Sequence, residues 1–240
     1  MTAKAPLVVV GDALLDVDVD GSATRLCPDA PVPVLDTHDE RARPGGAGLA
    51  ALLAAVSGSR PVTLITPLGP DDGSARLREL LAPVEVIGLP TSGAVPVKTR
   101  VLAGTRPLVR LDSGGLGVGP WDLTDAAAAL EGAAGVLVSD YGRGATADPA
   151  LRELLTAAAR RVPVVWDPHP RGAAPVPGAA LVTPNLAEAG ASAGEWLSSA
   201  SAAAATLRER WSAEAVVVTA GAHGAVLRSA AGVGVVPAHG

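Results

Sequence analysis

The chain has 240 residues, of which 48% are hydrophobic, and its formal net charge is −5. A chain of this length can bury one sizeable core, so we expect a single domain. Lysine and arginine together number only 19 and form no run or stripe, which argues against a nucleic-acid partner. A single cysteine, Cys27, excludes a disulfide within the chain, and no apolar stretch approaches membrane-spanning length. These features favour a soluble cytoplasmic protein that has no membrane partner.

Short apolar runs alternate with stretches rich in Ala, Leu and Arg along most of the chain. The predicted strands are, in chain order, residues 7–10, 61–65, 84–89, 135–139, 162–166, 179–182 and 215–219. Helices are predicted from Gly46 onward, over 74–81, over 125–134 with Thr124 as N-cap, over 149–161, directly after Val182, and over 199–211. Continuous apolar strands separated by helices are typical of a mostly parallel sheet covered on both faces. The sequence therefore predicts an α/β fold.

Two segments break this alternation. Residues 16–37 and 95–112 are richer in Pro, Gly and alternating polar residues, and positions 95 to 101 follow a period of two. Such a pattern predicts antiparallel strands outside the main sheet, such as a lid. Residues 171–178 are rich in Pro and Gly and are predicted to form a loop within the domain.

Several familiar motifs are absent or poorly supported. No G-x-x-x-x-G-K-[ST] occurs, which excludes a P-loop. Residues 46–51 fit a loose dinucleotide-binding pattern, but no predicted strand leads into them. Residues 190–194 match the serine-hydrolase pattern G-x-S-x-G but follow a predicted helix. The histidines have no metal-ligand spacing, so we predict no zinc site at His38, His169, His223 and His239.

More informative residues follow the predicted strands, where open α/β sheets bind ligands. Asp12 and Asp16 come after the first strand, and their carboxylates either accept hydrogen bonds from sugar hydroxyls or cap their own turn. Residues 44–48, with the sequence Pro-Gly-Gly-Ala-Gly, open a helix. Their small side chains either let a ligand approach the backbone or simply permit a tight turn.

Polar groups also follow the later strands. Asn185 and Glu188 lie three residues apart, on one face of the first turn of a predicted helix. Their oxygens can hold Mg²⁺ through waters near a phosphate, or they can cap the helix. Thr219 and Gly221 lie in a glycine-rich turn, where a hydroxyl and free amides can contact a nucleotide phosphate. Polar or Gly-rich breaks after at least five strands together predict one ligand site.

Five motifs occur in the order G-D-A-L-L-D (11–16), T-R-L-C-P-D-A-P-V-P-V (24–34), R-P-G-G-A (43–47), K-T-R-V-L (98–102) and V-R-L-D (109–112). Polar segments follow at 139–144, 167–168, 183–188 and 218–224. In this order they resemble the ribokinase-type (PfkB) carbohydrate kinase family. The narrower resemblance is to the D-glycero-β-D-manno-heptose 7-phosphate kinase domain of bifunctional ADP-heptose synthesis proteins. Segment 24–34 is its most specific part, and the resemblance covers essentially the whole chain.

The resemblance implies a three-layer α/β/α ribokinase-like fold with a small β-lid, in one incomplete kinase domain over residues 1–240. It also implies ATP-dependent, Mg²⁺-assisted phosphate transfer to a sugar hydroxyl, here O1 of a heptose 7-phosphate. Lids of this family often mediate a homodimer. The residues carried over to the sugar side are Asp12, Asp16, Gly45, Gly46, Lys98 and Arg110. Those carried over to the Mg-ATP side are Asn185, Glu188 (on the metal through water), Thr219 and Gly221.

The chain departs from the family in two places. Leu49 stands where the family usually has an Asn that contacts sugar hydroxyls, and losing such a partner typically costs about 1–3 kcal/mol of binding. The family's D-x-[TV]-G-A-G-D motif does not occur in the 240 residues, so the resemblance places its last Asp, the catalytic base, beyond Gly240. We therefore assign no catalytic residue and expect weak or no turnover from this chain.

Two alternatives to this kinase stay open. One is a non-catalytic sugar-phosphate or nucleotide-binding relative, which the absent motif and Leu49 favour. The other is a kinase for another sugar or nucleoside, which Leu49 favours and segment 24–34 argues against.

Overall fold

The computed structural model describes residues 4–58, 60–115, 117 and 119–238. These residues form thirteen strands: β1 (Leu7–Gly11), β2 (Ala13–Cys27), β3 (Ala30–Gly46), β4 (Val62–Leu68), β5 (Glu85–Pro90), β6 (Ala94–Ala103), β7 (Arg106–Gly115), β8 (Gly135–Ser139), β9 (Val164–Asp167), β10 (Leu181–Val182), β11 (Ala215–Thr219), β12 (Ala225–Ser229) and β13 (Gly232–Val236). The five α-helices are α1 (Ala47–Ser57), α2 (Asp72–Leu80), α3 (Thr124–Glu131), α4 (Pro149–Ala159) and α5 (Trp196–Trp211).

Two positions named in the sequence analysis, His239 and Gly240, lie outside the described residues. The expectation that the catalytic Asp of the family lies beyond Gly240 is therefore not tested by the structure and stays a prediction. The same holds for the absence of a zinc ligand at His239.

Nine of the strands form the main sheet, in the order β13-β12-β11-β10-β9-β8-β1-β4-β5. From β11 to β5 all neighbours pair in parallel, and the two antiparallel pairs are β11–β12 and β12–β13. The predicted mostly parallel sheet is therefore confirmed. Among the described residues, no helix is both long and apolar enough to span a membrane.

Apolar cores lie on both faces of the main sheet, because successive residues of a strand point to opposite faces. In β1, Val8 and Val10 belong to the core that holds residues of α3, α4 and α5, whereas Val9 belongs to the core of α1 and α2. The layers are thus helices, sheet and helices, which confirms the predicted three-layer α/β fold. Its core is built mainly from Ala, Val and Leu, with Trp166 of β9 as the largest fully buried side chain.

Four strands form a second sheet, in the order β3-β2-β6-β7. It is larger than the predicted lid, since β2 and β3 together reach from Ala13 to Gly46, and β6 and β7 from Ala94 to Gly115. The hairpins β2–β3 and β6–β7 are antiparallel, as predicted, but β2 and β6 pair in parallel. The chain leaves the main sheet at Gly11, where any side chain would overlap the carbonyl group of Ser139.

Three local predictions were wrong. Strand β3 runs directly into α1 at Gly46, so a strand does precede residues 46–51. Because β3 and β4 lie in different sheets, this is still not the parallel β-α-β arrangement of a dinucleotide site. The N-cap of α3 is Leu123, not Thr124, and the carboxylate of Asp122 accepts hydrogen bonds from Thr124 instead.

The third wrong prediction is the helix directly after β10. Residues 186–190 form a single turn, and α5 begins only at Trp196. The amide of Ala191 donates to the carbonyl of Leu186 (2.8 Å), while Gly190 adopts a φ of +66°. A glycine in this left-handed conformation commonly ends a helix, and here it stops the turn before a second one can form.

Candidate active site

Asp12 lies between the two sheets and is fully buried. Its carboxylate accepts hydrogen bonds from the amides of Tyr141 (3.1 Å), Arg143 (2.9 Å) and Ala145 (3.1 Å). Burial raises the pKa of Asp12, and these three hydrogen bonds offset part of the rise. Asp12 therefore anchors the loop that follows β8, and its predicted contact with a sugar stays a prediction.

Asp16 lies on β2 at the inner end of the second sheet. Arg100 donates to Oδ1 of Asp16 (2.9 Å) and also lies 3.6 Å from Oδ1 of Asp18. Arg43 pairs with Asp18, and this hydrogen bond is the main reason why the pKa of Asp18 is lowered. A side chain at Gly45 would overlap Oδ2 of Asp16, so the glycine makes room for this carboxylate. The arrangement fixes Oδ1 of Asp16 through Arg100 and leaves Oδ2 available for a ligand hydroxyl.

Lys98 and Tyr141 connect this region with the ends of the main-sheet strands. The ammonium of Lys98 lies 5.6 Å from the centroid of the Tyr141 ring, a distance typical of a cation–π contact. The pKa of Tyr141 is raised by burial first, then by the negative charges of Asp167, Asp16 and Glu188. Tyr141 therefore lies near Lys98 and within reach of the charges of Asp16, Asp167 and Glu188.

Asn185 and Glu188 satisfy each other's backbone amides. The amide of Asn185 donates to Oε2 of Glu188 (2.8 Å), and the amide of Glu188 donates to Oδ1 of Asn185 (3.0 Å). This is the capping arrangement that the sequence left as an alternative. An isolated parallel bridge joins Asn185 to Thr219, and the amide of Leu186 donates to the Thr219 carbonyl (3.1 Å). The two predicted nucleotide-side segments are therefore neighbours.

Asp167 ends β9 beside these segments and accepts a hydrogen bond from the hydroxyl of Thr183 (3.1 Å). Burial raises the pKa of Asp167, and the nearby charges of Glu188 and Asp140 raise it further. Carboxylates that repel one another gain from a cation between them, and oxygen ligands are those that Mg²⁺ prefers. Asp167 and Glu188 thus fit the magnesium ion that the resemblance implies, although no group of three acidic, His or Cys side chains converges on one point among the described residues.

The remaining predicted residues lie farther out. Gly221 adopts a φ of +56° in an exposed 3₁₀ turn, Gly221–His223, directly beyond β11. Arg110 lies opposite Arg100 on β7, but its guanidinium is exposed and pairs with Asp112 (2.9 Å). Leu49, in the first turn of α1, is 37% exposed.

A sequence profile of the pfkB family of carbohydrate kinases matches residues 4–239. The chain belongs to this family. It is 56% identical over 234 residues to the bifunctional protein HldE of Streptomyces coelicolor, a match that covers 94% of this chain and 49% of the relative. It is 39% identical over 206 residues to the bifunctional protein HldE of Azorhizobium caulinodans, covering 78% of this chain and 41% of the relative. The chain therefore spans about half the length of these curated relatives.

Solved structures with this fold include sugar kinases. Arabidopsis thaliana ribokinase, complexed with ribose and ATP, superposes with a TM-score of 0.66 at 18% identity, covering 97% of this chain and 78% of that one. Escherichia coli phosphofructokinase-2, in complex with fructose-6-phosphate, superposes with a TM-score of 0.67 at 20% identity, covering 98% and 80%. At these identities the likeness establishes the ribokinase-like fold of this pfkB kinase chain.

Tyr141 and Asp167 are the site residues whose importance only the structure reveals. Both belong to polar segments that the sequence marks as strand ends, but no local pattern assigns either a role. Their position follows from strand order, since β8 lies beside β1 and β9 lies beside β10. Tyr141 and Asp167 thus lie near residues that the sequence predicts for the sugar and for the nucleotide.

The raised pKa of Asp167 leads to a pH-dependent prediction for Asp167→Asn. Because the folded-state pKa is raised, the protonated form favours folding, and this stability is lost as the pH rises from the usual Asp range, about 4, through the folded pKa. Asparagine cannot ionise and still accepts the Thr183 hydroxyl. We expect the variant to unfold at higher urea than wild type at about pH 7.5, with a gap that closes toward about pH 4. Urea titrations at several pH values measure this.

The matched control is Asp29→Asn, which changes an exposed carboxylate with no hydrogen bond in the described structure. Its unfolding midpoint in urea should be close to that of wild type at about pH 7.5. If Asp167→Asn is less stable than wild type at neutral pH, then the repulsion inferred among these carboxylates is wrong.

Proposed function

We propose that this chain is the kinase part of an ATP-dependent heptose 7-phosphate kinase that transfers phosphate to O1 of the sugar. One observation carries the proposal: Tyr141 contacts Lys98 and is within reach of the charges of Asp16, Asp167 and Glu188, so the residues proposed for the sugar and for Mg-ATP are close together. A kinase needs such an adjacency, because the acceptor hydroxyl must meet the terminal phosphate of the nucleotide. The 56% identity to the HldE protein of Streptomyces coelicolor supports the choice of heptose 7-phosphate.

The roles follow from the chemistry of each group. On the sugar side, Asp16 accepts hydroxyls, and the backbone at Gly45 and Gly46 lies against the sugar, with Gly45 also leaving room for the Asp16 carboxylate. Lys98 and Arg110 supply positive charge there. Asp12 contributes indirectly, because its carboxylate holds the loop after β8, which carries Tyr141.

On the nucleotide side, Asn185 and Glu188 orient water around Mg²⁺, and Thr219 and Gly221 contact the phosphates of ATP. Bound Mg²⁺ would neutralise charge on the transferring phosphoryl group. The proposal includes weak or absent turnover by the 240 residues, since they contain no G-A-G-D motif. It also includes a cytoplasmic location, where ATP and sugar phosphates are available.

A homodimer through the second sheet is a further part of the proposal. Large apolar side chains are exposed on the strands of this sheet: Leu26, Val32, Val109 and Leu111. Exposed apolar side chains of this size can pack against a second copy of the chain. Sedimentation velocity measures the outcome, and a monomer at high micromolar concentration would contradict the dimer.

Calorimetry with the 240-residue chain tests the proposed substrates. We expect both heptose 7-phosphate and Mg-ATP to bind. The Asp16→Asn variant should bind the sugar phosphate about 10- to 100-fold more weakly, because a hydrogen bond to a charged group contributes about 1.5–3 kcal/mol. Its affinity for Mg-ATP should be unchanged, and Asp29→Asn should match wild type for both ligands.

Different results would favour the alternatives. Binding of another sugar or a nucleoside in place of heptose 7-phosphate would favour the alternative that Leu49 supports, a kinase with another acceptor. Turnover comparable to that of the longer relatives would contradict the weak turnover expected of these residues. Binding of neither ligand would refute the proposal.

A further inference from the structure

Two loops, at the ends of β8 and β9, carry three basic residues: Arg143 on the first, and His169 and Arg171 on the second. The two loops approach each other at Gly142, which lies against the second loop. A Cβ at Gly142 would lie 2.9 Å from Cβ of Arg171 and would overlap the ring of His169. Gly142 also has a φ of +65°, a conformation that glycine adopts without strain. The close approach of the two loops therefore depends on a glycine at this position.

Two buried aspartates hold these loops in place. Asp12 accepts hydrogen bonds from three amides of the first loop, including the amide of Arg143. Asp140, which is 2% exposed, accepts from the amide of Gly142 in the first loop (2.7 Å) and from that of Ala173 in the second (3.1 Å). The backbone that carries the basic residues is thus fixed before any ligand binds, which lowers the entropic cost of binding.

The two arginines have no anionic partner of their own. Across the described residues, neither Arg143 nor Arg171 forms a salt bridge or a side-chain hydrogen bond. The other arginines near the site do have carboxylate partners: Arg43 with Asp18, Arg100 with Asp16, and Arg110 with Asp112. Unpaired guanidinium groups on a fixed backbone are suited to a planar or tetrahedral oxyanion.

His169 adds a directed donor. Its Nδ1 accepts a hydrogen bond from the amide of Arg171 (3.1 Å). In the neutral ring the proton therefore lies on Nε2, which can donate to a ligand. The three residues thus supply two guanidinium groups and the Nε2–H of His169.

We propose that Arg143, His169 and Arg171 bind the phosphate monoester that the sugar substrate already carries. This inference rests on the proposed function, which requires a place for a group of charge about −2 in addition to ATP. The nucleotide phosphates have their own surroundings beside Asp167 and Glu188, where crowded carboxylates favour a metal ion. On the two loops, by contrast, the carboxylates of Asp12 and Asp140 are bound to backbone amides, and the guanidinium groups of Arg143 and Arg171 have no carboxylate partner.

The test compares wild type with the double variant Arg143→Gln, Arg171→Gln by calorimetry. The ligands are inorganic phosphate, heptose 7-phosphate, the unphosphorylated heptose and Mg-ATP. We expect the double variant to bind phosphate and heptose 7-phosphate about 10- to 100-fold more weakly, because charge-assisted hydrogen bonds are lost. Binding of the unphosphorylated heptose and of Mg-ATP should not change. Arg106→Gln, which changes an exposed arginine at the start of β7 that has no partner in the described structure, serves as the matched control and should behave as wild type.

Thermal unfolding establishes that the double variant is folded. The binding results then test the phosphate site separately from the proposed kinase function. A selective loss of Mg-ATP affinity would assign the cluster to the nucleotide and overturn the inference. Equal weakening for the phosphorylated and unphosphorylated sugars would overturn it as well. If wild type binds no heptose 7-phosphate, the proposed function fails. Phosphate binding that depends on Arg143 and Arg171 would then still support the anion site, and phosphate binding that is unchanged in the double variant would refute it.

Discussion

Replacing Asp12 with alanine should destabilise the fold by about 3 kcal/mol or more, since each buried amide left without a partner costs about 1–3 kcal/mol. Three amides lose their acceptor together, those of Tyr141, Arg143 and Ala145. Removing the buried charge recovers part of this loss, because burial raises the pKa of Asp12 and so opposes its ionised form. The net effect remains large, because the loop after β8 loses its attachment to the junction between the sheets.

Urea denaturation measures the effect of Asp12→Ala. Asp12→Asn should lose less stability than Asp12→Ala, since its remaining side-chain oxygen still accepts hydrogen bonds. It should still be less stable than wild type, because its NH₂ group cannot accept any. The exposed Asp29→Ala is the control and should change stability by less than about 0.5 kcal/mol. A wild-type unfolding midpoint for Asp12→Ala would mean that these hydrogen bonds contribute little to the fold.

Gly46→Ala is expected to have a comparably large effect, for a steric reason. Gly46 adopts φ 59° and ψ −137° at the start of α1, and a Cβ there would overlap the carbonyl oxygen of Asp12. The same oxygen accepts the amide of Ala47 (3.1 Å), so moving it also weakens the beginning of the helix. Backbone strain of this kind costs about 1–3 kcal/mol, and the overlap adds to it.

The Gly104→Ala variant separates the cost of backbone strain from the cost of the steric overlap. Gly104 has nearly the same φ, +61°, but no atom lies within 4 Å of its Cβ position. This variant therefore measures the conformational cost alone, about 1 kcal/mol. The expected result is a clearly larger loss for Gly46→Ala in the same urea titration. Equal losses in the two variants would refute the steric argument.

The strands of the main sheet were predictable because strands buried on both faces are continuous apolar runs. Residues 135–139, for example, were predicted as a strand and form β8 with the same bounds. The second sheet was predicted too short, because its strands are not continuous apolar runs. Most of β3 is exposed and carries charged side chains, so its sequence shows no apolar period that would mark its full length.

The geometry of the site depended on contacts between residues far apart in the chain. Asp12 could be recognised as a strand-end carboxylate, but its partners belong to a loop that the fold brings beside it. The spacing of Asn185 and Glu188 fits both a magnesium site through water and a cap, and only the folded structure shows the reciprocal hydrogen bonds of the cap. Local spacing cannot show which loops meet, because strand order in the sheet decides that.

The parallel pairing of β2 with β6 has a consequence for how the molecule folds. Residues 15–21 of β2 pair with residues 97–103 of β6, and the intervening chain includes α1, β4, α2 and β5. Each hairpin of the second sheet is local, but joining them closes a long loop, which is slow and entropically costly until the enclosed elements have packed. The second sheet is therefore completed late and together with its end of the main sheet, rather than as an independently folding unit.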